Sequence, residues 1–288
     1  MNDAGRGPAV SVVIPLLNGE QRLREQLAAL SRESVDGGFE VVIADNGSTD
    51  DSRAVANAFF DRIDMRIIDA SATRAHGFAR NEGARVARSD NIVFLDHDDV
   101  IMPGYLEAMA RALRHSDFVA ARVDTGALNQ GWLAEVRSVP QAVGLGEGPL
   151  PWAYGGTLGI RRSVFEMVGG FDTSLGVSAE DVDLCWRVQE AGIALRFVPD
   201  AVLQYRFPET YRGLWRQGRR YGLGQTLVDR RHRDQLPAVG ESFRSRARGF
   251  AGSLRLVCFG TNRTERGRGL FLLGRRIGRA QGFFGRVF

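Results

Sequence analysis

The chain has 288 residues, 44% hydrophobic and 25% charged, ordinary values for a folded protein with a sizeable core. No stretch nears the ~18 consecutive apolar residues of a membrane span, and Asp3 and Pro8 interrupt the N-terminus where a secretory leader would be apolar. With only Cys185 and Cys258, a disulfide framework and a Cys-rich zinc site are excluded, and a reducing cytoplasm is the expected setting. The net charge of +4 is uneven: residues 1–205 carry 19 Arg against 29 acids, and residues 206–288 carry 19 Arg against 5. An acidic body with a basic tail points to two tasks, the tail facing something anionic.

Val10–Pro15 is a β-branched apolar run, followed by Leu23, Leu27 and Leu30 at helical spacing. Phe39–Ala44 reads as the second strand, with Ser48 or Thr49 capping a helix that runs to about Phe60. A third strand is expected over Met65–Ile68, a helix over Phe78–Ala87 and a fourth strand over Asn91–Leu95. A helix opening at Pro103 and a strand over Phe118–Val123 complete the first half. Such alternation predicts an α/β fold with a mostly parallel central sheet, covered on both faces and binding ligand at the strands' carboxyl ends. Asp124–Pro151 reads as a long loop or lid. A helix from Arg162 to Val168 follows, then a helix capped by Ser178 that ends near Glu190, and short strands near Leu195–Val198 and Ala201–Tyr205. Everything past Pro208 is helical in character.

Four clusters sit where that fold would place ligand. Leu95-Asp96-His97-Asp98-Asp99 ends a buried strand in three carboxylates, which suits a hard divalent cation on a diphosphate; the competing account is an acidic turn in which Asp99 or an upstream neighbour caps the next helix. Asp45-Asn46-Gly47-Ser48-Thr49-Asp50 is a turn and cap, yet Asp45 at the strand end can also accept from a base N–H or a ribose hydroxyl. His76, Gly77, Arg80 and Asn81 at a helix start suit a base or phosphate. Glu180-Asp181-Val182-Asp183 either complements a helix dipole or holds a general base rigidly.

Taken together, Ser11–Asn18, Asp45–Asp50, Arg80-Asn81, Leu95–Asp99, Gly169–Asp172 and Glu180–Trp186 resemble, in order and spacing, family 2 glycosyltransferases of the GT-A fold over about residues 10–205. The resemblance implies a catalytic domain over 1–205, with a nucleotide-sugar half about 9–123 and an acceptor half about 124–205, and a basic helical extension over 206–288. It implies inverting transfer from a nucleoside diphosphate sugar, UDP being the commonest donor nucleotide, to a sugar or lipid-linked hydroxyl, with Mn²⁺ or Mg²⁺. Pro15, Leu17, Asn18, Asp45, Arg80, Asn81 and Asp96 then resemble the nucleotide-sugar site, Asp98 and Asp96 the metal-binding pair, Asp181 the base and Glu180 a group orienting the acceptor. Gln204 stands where many such enzymes have a metal-binding His; its carbonyl oxygen suits Mg²⁺ or Mn²⁺ but is a weaker ligand than imidazole for softer metals. Trp132 and Trp152–Thr157 are expected on the acceptor side.

Two rivals remain at this level. A nucleotidyltransferase would want a Gly-rich basic loop after strand one, which Leu16-Leu17-Asn18-Gly19 does not supply. A non-catalytic sugar-nucleotide or membrane-binding scaffold would not need Asp96, Asp98 and Asp181 together. In the tail, Phe250, Leu254, Val257 and Cys258, then Leu270–Leu273, Ile277 and Phe283-Phe284, form an apolar face among Arg residues. That pattern fits either an amphipathic segment on an anionic membrane surface or a packed helical lid. No nucleic-acid module is recognisable.

Overall fold

The computed structural model describes residues 7–129, 131–175, 179–234 and 243–284. It divides into two compact units, one comprising Met1–Asp124, Pro140–Thr173 and Asp181–Tyr205, the other Thr125–Val139, Ser174–Glu180 and Arg206–Phe288. The expected Ser178 cap lies outside the described residues.

The first unit holds the sheet. In chain order its elements are β1 (Val10–Leu16), α1 (Glu20–Leu30), β2 (Phe39–Asp45), α2 (Ser52–Asn57), β3 (Met65–Asp69), α3 (His76–Val86), β4 (Asn91–Phe94), β5 (Val100–Ile101), α4 (Tyr105–Leu113), β6 (Phe118–Asp124), β7 (Leu158–Arg161), α5 (Arg162–Met167), α6 (Glu180–Glu190) and β8 (Arg196–Gln204). The strands form one sheet in the order β3-β2-β1-β4-β7-β6-β8-β5. Pairings β3–β2, β2–β1, β1–β4 and β6–β8 are parallel; β7 runs antiparallel to both neighbours and β5 antiparallel to β8. The sheet is therefore mixed, with the expected parallel order carried by its nucleotide-side half.

Every residue of β1 is buried, as a strand covered on both faces requires. Val10, Val12, Ile14 and Leu16 share a core with Leu23, Leu27 and Leu30 of α1 and with Tyr105, Leu106, Met109 and Leu113 of α4. Each such leucine contributes roughly 1.5–3 kcal/mol by leaving water. On the opposite face Val13 abuts Gly83 of α3.

Three elements differ from expectation, each for a local reason. Helix α2 begins at Ser52 with Asp51 at its N-cap, rather than being capped by Ser48 or Thr49, whose hydroxyls are turned to Asn18: Ser48 Oγ accepts the Asn18 amide at 3.1 Å and Thr49 Oγ1 donates to Asn18 Oδ1 at 3.4 Å. Helix α4 is capped by Glu33, whose carboxylate accepts from the Gly104 and Leu106 amides at 2.8 Å each, and not by Asp99. The two short strands expected near 195–205 are one strand, β8, whose register shifts opposite Ala121/Arg122 where Pro199 and Asp200 interrupt the ladder.

The second unit is helical: α7 (Tyr211–Arg231), α8 (Phe243–Phe259) and α9 (Arg263–Phe283). Asn262 Oδ1 accepts from Glu265 N at 2.9 Å while Glu265 takes Thr261 N at 2.7 Å, a reciprocal cap on α9. Helices α7 and α9 meet main chain to main chain: Gly218 and Gly222 face Phe271 and Arg275, and Gly274 and Gly278 face Trp215 and Arg219. A Cβ at Gly222 or Gly278 would overlap a carbonyl oxygen across the interface. Gly278→Leu is expected to lower stability by ~2 kcal/mol or more, read from urea unfolding. Gly252→Ala on α8, where an added methyl meets nothing within 4 Å, should be neutral or stabilising by up to ~1 kcal/mol. Residues 131–137, expected within the acceptor-side loop, pack with these helices. Arg137 stacks on Phe207 (4.6 Å) and Phe271 (5.0 Å), and Trp132 meets Tyr211 (5.2 Å) edge to face.

Candidate active site

The carboxyl ends of β1 and β2 are laced together by side chains. Asn18, at a left-handed φ of 52°, takes Thr49 N on its side-chain oxygen and donates its own amide to Ser48 Oγ at 3.1 Å. Gly19 N donates to Ser52 Oγ at 2.7 Å and Glu20 N to Asp50 Oδ2 at 3.1 Å. Asp45 is buried at the end of β2, with Ser48 N on one oxygen and Arg53 3.4 Å from the other. Pro15 contributes its carbonyl, which lies 3.3 Å from His97 Nδ1, and Leu17 is half-buried. Asn18, Gly19, Glu20, Arg22, Asp50, His97 and Asp98 line a cleft of about 340 Å³. Asp98 is part-exposed there, with Arg22 Nη1 3.7 Å away.

A second constellation forms around β4. Arg80, on α3 and with a side chain only 4% exposed, donates Nη2 to Asp96 Oδ1 at 2.6 Å and lies over the Phe171 ring at 5.3 Å. Burial by itself would raise the Asp96 carboxyl, but Arg80, His76 and His97 hold it below the ordinary carboxylate value. Gly155 and Gly156 lie flush against this pair. A Cβ on Gly155 would sit 2.8 Å from Arg80 Nη1, and one on Gly156 would sit 2.6 Å from Asp96 Oδ2. Gly155 N donates to Asp181 Oδ2 at 3.1 Å, so one turn joins Asp181 to the Arg80–Asp96 pair. Next to it Tyr154 stacks on Tyr205 at 5.7 Å and meets Trp152 edge to face at 5.4 Å.

The acids of α6 divide by environment. Asp183 is fully buried and pairs with Arg187 at 2.7 Å, while Arg187 also donates to Gly170 O at 2.7 Å, tying the helix to the Gly169–Asp172 turn. Asp181 faces the Gly155 amide, and Glu180 opens the helix after Ala179, which has a φ of 74°. A non-glycine residue in that region is costly and is found mostly where function demands it. Asn81 uses both ends of its amide on Phe171, donating to its carbonyl at 2.8 Å and accepting from its N–H at 2.9 Å. It thus secures the turn beneath Arg80.

The structure therefore gathers Arg80, Asp96 and Asp181 in one place and Asn18 and Asp98 in the neighbouring cleft. Gln204 pairs in register with Val100 and spends its amide nitrogen on Met102 Sδ at 2.9 Å, which leaves its carbonyl oxygen as the end with ligand chemistry. Among the described residues no group of three His, Cys, Asp or Glu side chains is placed to hold a metal ion. Mg²⁺-type ions are commonly held by one or two carboxylates plus substrate phosphates and water; the carboxylates on offer here are Asp98, in the cleft beside Arg22, and Asp96, beside Arg80. Gly155-Gly156 is the element that sequence reading passed over. The dipeptide was visible, but not what it lies against.

A mixed sheet with acidic strand ends, a buried Arg–Asp pair and a carboxylate at a helix start defines a GT-A transferase architecture. The sequence model of a family described as glycosyl transferase family 2 matches residues 11–169, and that of glycosyl transferase family group 2 matches residues 91–261. The chain belongs to glycosyl transferase family 2. Among its relatives, the pre-mycofactocin glycosyltransferase of Mycobacterium tuberculosis is 28% identical over 210 residues, 68% of this chain and 42% of that one. The validoxylamine A glucosyltransferase of Streptomyces hygroscopicus subsp. limoneus is 27% identical over 226 residues, 65% of this chain and 49% of that one. The chain thus spans about half the length of the curated relatives it matches. Among solved structures, the mannosyltransferase PcManGT from Pyrobaculum calidifontis, in complex with GDP-Man and Mn²⁺, aligns with a TM-score of 0.70 at 17% identity, covering 100% of this chain and 90% of that one. Staphylococcus aureus TarS 1–349 in complex with UDP-GlcNAc aligns at 0.54 with 15% identity, covering 97% and 93%. These likenesses establish the GT-A fold.

Proposed function

We propose that the chain is an inverting glycosyltransferase that moves a sugar from a nucleoside diphosphate donor, a UDP-sugar being the first to test, to a hydroxyl acceptor. The observation that carries this reading is the single turn at Gly155-Gly156 that joins the Asp181 carboxylate to the Arg80–Asp96 pair. Asp181 takes the proton as the acceptor O–H bond breaks, the freed oxygen bonds to the anomeric carbon, and the bond to the diphosphate breaks with its electron pair leaving on phosphate oxygen. One displacement inverts the centre and needs no enzyme nucleophile. Asp45, Pro15, Leu17 and Asn18 hold the nucleotide, Arg80 and Asp96 the donor, and Glu180 orients the acceptor. Trp152, Tyr154 and Tyr205 form an aromatic wall suited to an acceptor sugar ring.

Mn²⁺ or Mg²⁺ would be held by Asp98 and Asp96, with the Gln204 carbonyl as an added donor. When bound, such an ion neutralises charge on the leaving diphosphate. Asp98→Ala is accordingly expected to remove metal-dependent donor binding while the fold stays intact, because its side chain is part-exposed at the cleft. Calorimetry with and without Mn²⁺ checks this. Unchanged donor affinity in Asp98→Ala would remove Asp98 from the metal site.

The reading as a whole is tested by assaying transfer and donor hydrolysis with a panel of nucleoside diphosphate sugars and Mn²⁺. Turnover of at least one donor is expected; silence with every donor, in protein shown to be folded, overturns it. The basic helices add an anionic surface as partner, consistent with a peripheral enzyme on the cytoplasmic membrane face acting in polysaccharide or glycolipid assembly.

A further inference from the structure

We propose that α8 lies flat on an anionic lipid bilayer with Leu254, Cys258 and Phe250 turned into the headgroup region. The proposal rests on the reading of the C-terminal unit as facing an anionic partner and names the element that makes the contact.

The argument is an inversion of polarity along one helix. Gly249, Ser253, Leu256 and Gly260 recur at i, i+4, i+7 and i+11, one face of the helical repeat. This row packs inward. Ser253 is 2% exposed and takes Arg276 Nε on its hydroxyl at 3.2 Å, and Leu256 meets Gly269 of α9. Ala247, Ala251, Leu254 and Cys258 repeat at the same intervals on the other side, and all four are exposed. Phe250 (44% exposed) and Leu254 (45%) are thus presented outward, while of the row Gly249, Ser253, Leu256 and Gly260 that faces the protein only Leu256 is a large apolar residue. A helix stabilised only by packing would have the reverse order. Along the body of α9 the apolar residues behave as packing predicts: Phe271 is 5% exposed, and Leu272, Leu273 and Ile277 are part-buried, while Phe283 and Phe284 at its end are exposed. The tail's apolar residues therefore have two fates, buried along α9 and exposed at its end and on the outer row of α8.

Charge selects the partner. Arg248 and Arg255 are exposed on the flank of the apolar row, where their stems can lie along the bilayer and their guanidinium groups can reach phosphate. Residues 206–288 as a whole carry 19 Arg against 5 acids, so the segment that holds α8 is strongly basic. That combination, an apolar face with basic borders, describes a helix that lies in a membrane interface. Among the described residues no helix is long and apolar enough to cross a membrane, so the contact is a surface one.

The test is flotation of the full chain with phosphatidylcholine vesicles, with and without phosphatidylglycerol, at low and high salt. Binding is expected only with phosphatidylglycerol and weaker at high salt. Phe250→Ser combined with Leu254→Ser is expected to reduce binding by about tenfold or more, and Arg248→Gln and Arg255→Gln by about fivefold each. These side chains are exposed, so thermal unfolding should match the parent; Ala251→Glu, on the exposed row itself, supplies an independent variant of the same stripe. Salt-sensitive binding that survives Phe250→Ser/Leu254→Ser and Ala251→Glu overturns the role of α8 while leaving the anionic-partner reading standing. Absence of binding to anionic vesicles overturns both. A dimer in solution that the serine variants dissociate, with no vesicle binding, assigns the stripe to a second copy of the chain and also overturns the proposal.

Discussion

Asp181→Asn is expected to slow transfer by about 10²–10⁴-fold, the usual contribution of a general base, while donor affinity stays within about twofold of the parent. The split follows from the contacts of this side chain. Its Oδ2 accepts the Gly155 amide at 3.1 Å and its Oδ1 the Val182 amide at 2.9 Å; an asparagine can keep the first bond through its carbonyl oxygen and gives up the second, within its own helix. The turn that abuts Arg80 and Asp96 is then preserved, and donor binding with it. What the amide cannot do is accept the acceptor's proton. Glu180→Gln, altering a residue that orients rather than accepts, should raise the acceptor KM more than it lowers kcat. Rapid-mixing assays with one donor and one acceptor, alongside donor calorimetry, separate these effects. Loss of donor affinity with persistent turnover of bound donor would make Asp181 a structural cap and move the base to Glu180. Asp183 is a poor substitute, because its carboxylate is buried against Arg187 at 2.7 Å.

Much of the first unit is legible in sequence because burial on both faces forces continuous apolar runs. Val10–Leu16 and Phe39–Asp45 could hardly be anything but central strands. Errors arise where a distant side chain claims a main-chain group. Ser48 and Thr49 look like helix caps, but their hydroxyls are engaged by Asn18 from the end of β1. Strand β5 has two residues and exists because Gln204 and Leu203 pair with it, which no local pattern announces. The carboxylates of the site are readable as acids at strand and helix ends, where they are expensive without a cationic partner. The Gly155-Gly156 turn is not readable, since its meaning lies in Arg80 and Asp96 across the fold. The same holds for α8. Periodicity reveals an apolar face, but only packing tells which side of the helix the protein uses.

Arg80→Met should destabilise the first unit by roughly 3 kcal/mol near neutral pH, the scale for removing one partner of a buried ion pair. Methionine keeps the length and the apolar contact with Phe171, so the loss reports the guanidinium rather than a cavity. Asp96 loses the Arg80 charge that offsets its burial, and its carboxyl moves back up toward the ordinary value. The pH dependence has a definite sign. In the parent the folded-state value is depressed below 3.8, so Asp96 contributes stability above that pH and loses it as pH falls through the folded-state value. The gap between parent and Arg80→Met should therefore be full at neutral pH and narrow in acid, once Asp96 is protonated in both. Urea unfolding at about pH 7 and about pH 3 measures it. Adding Asp96→Asn to Arg80→Met should recover part of the loss, because the uncompensated charge is gone, and the double change should cost less than the two single ones together. Donor binding should not return with stability, since the asparagine lacks the carboxylate proposed to hold the donor. A pH-independent gap, or losses that simply add, would mean that Arg80 stabilises this region through packing on Phe171 and not through Asp96.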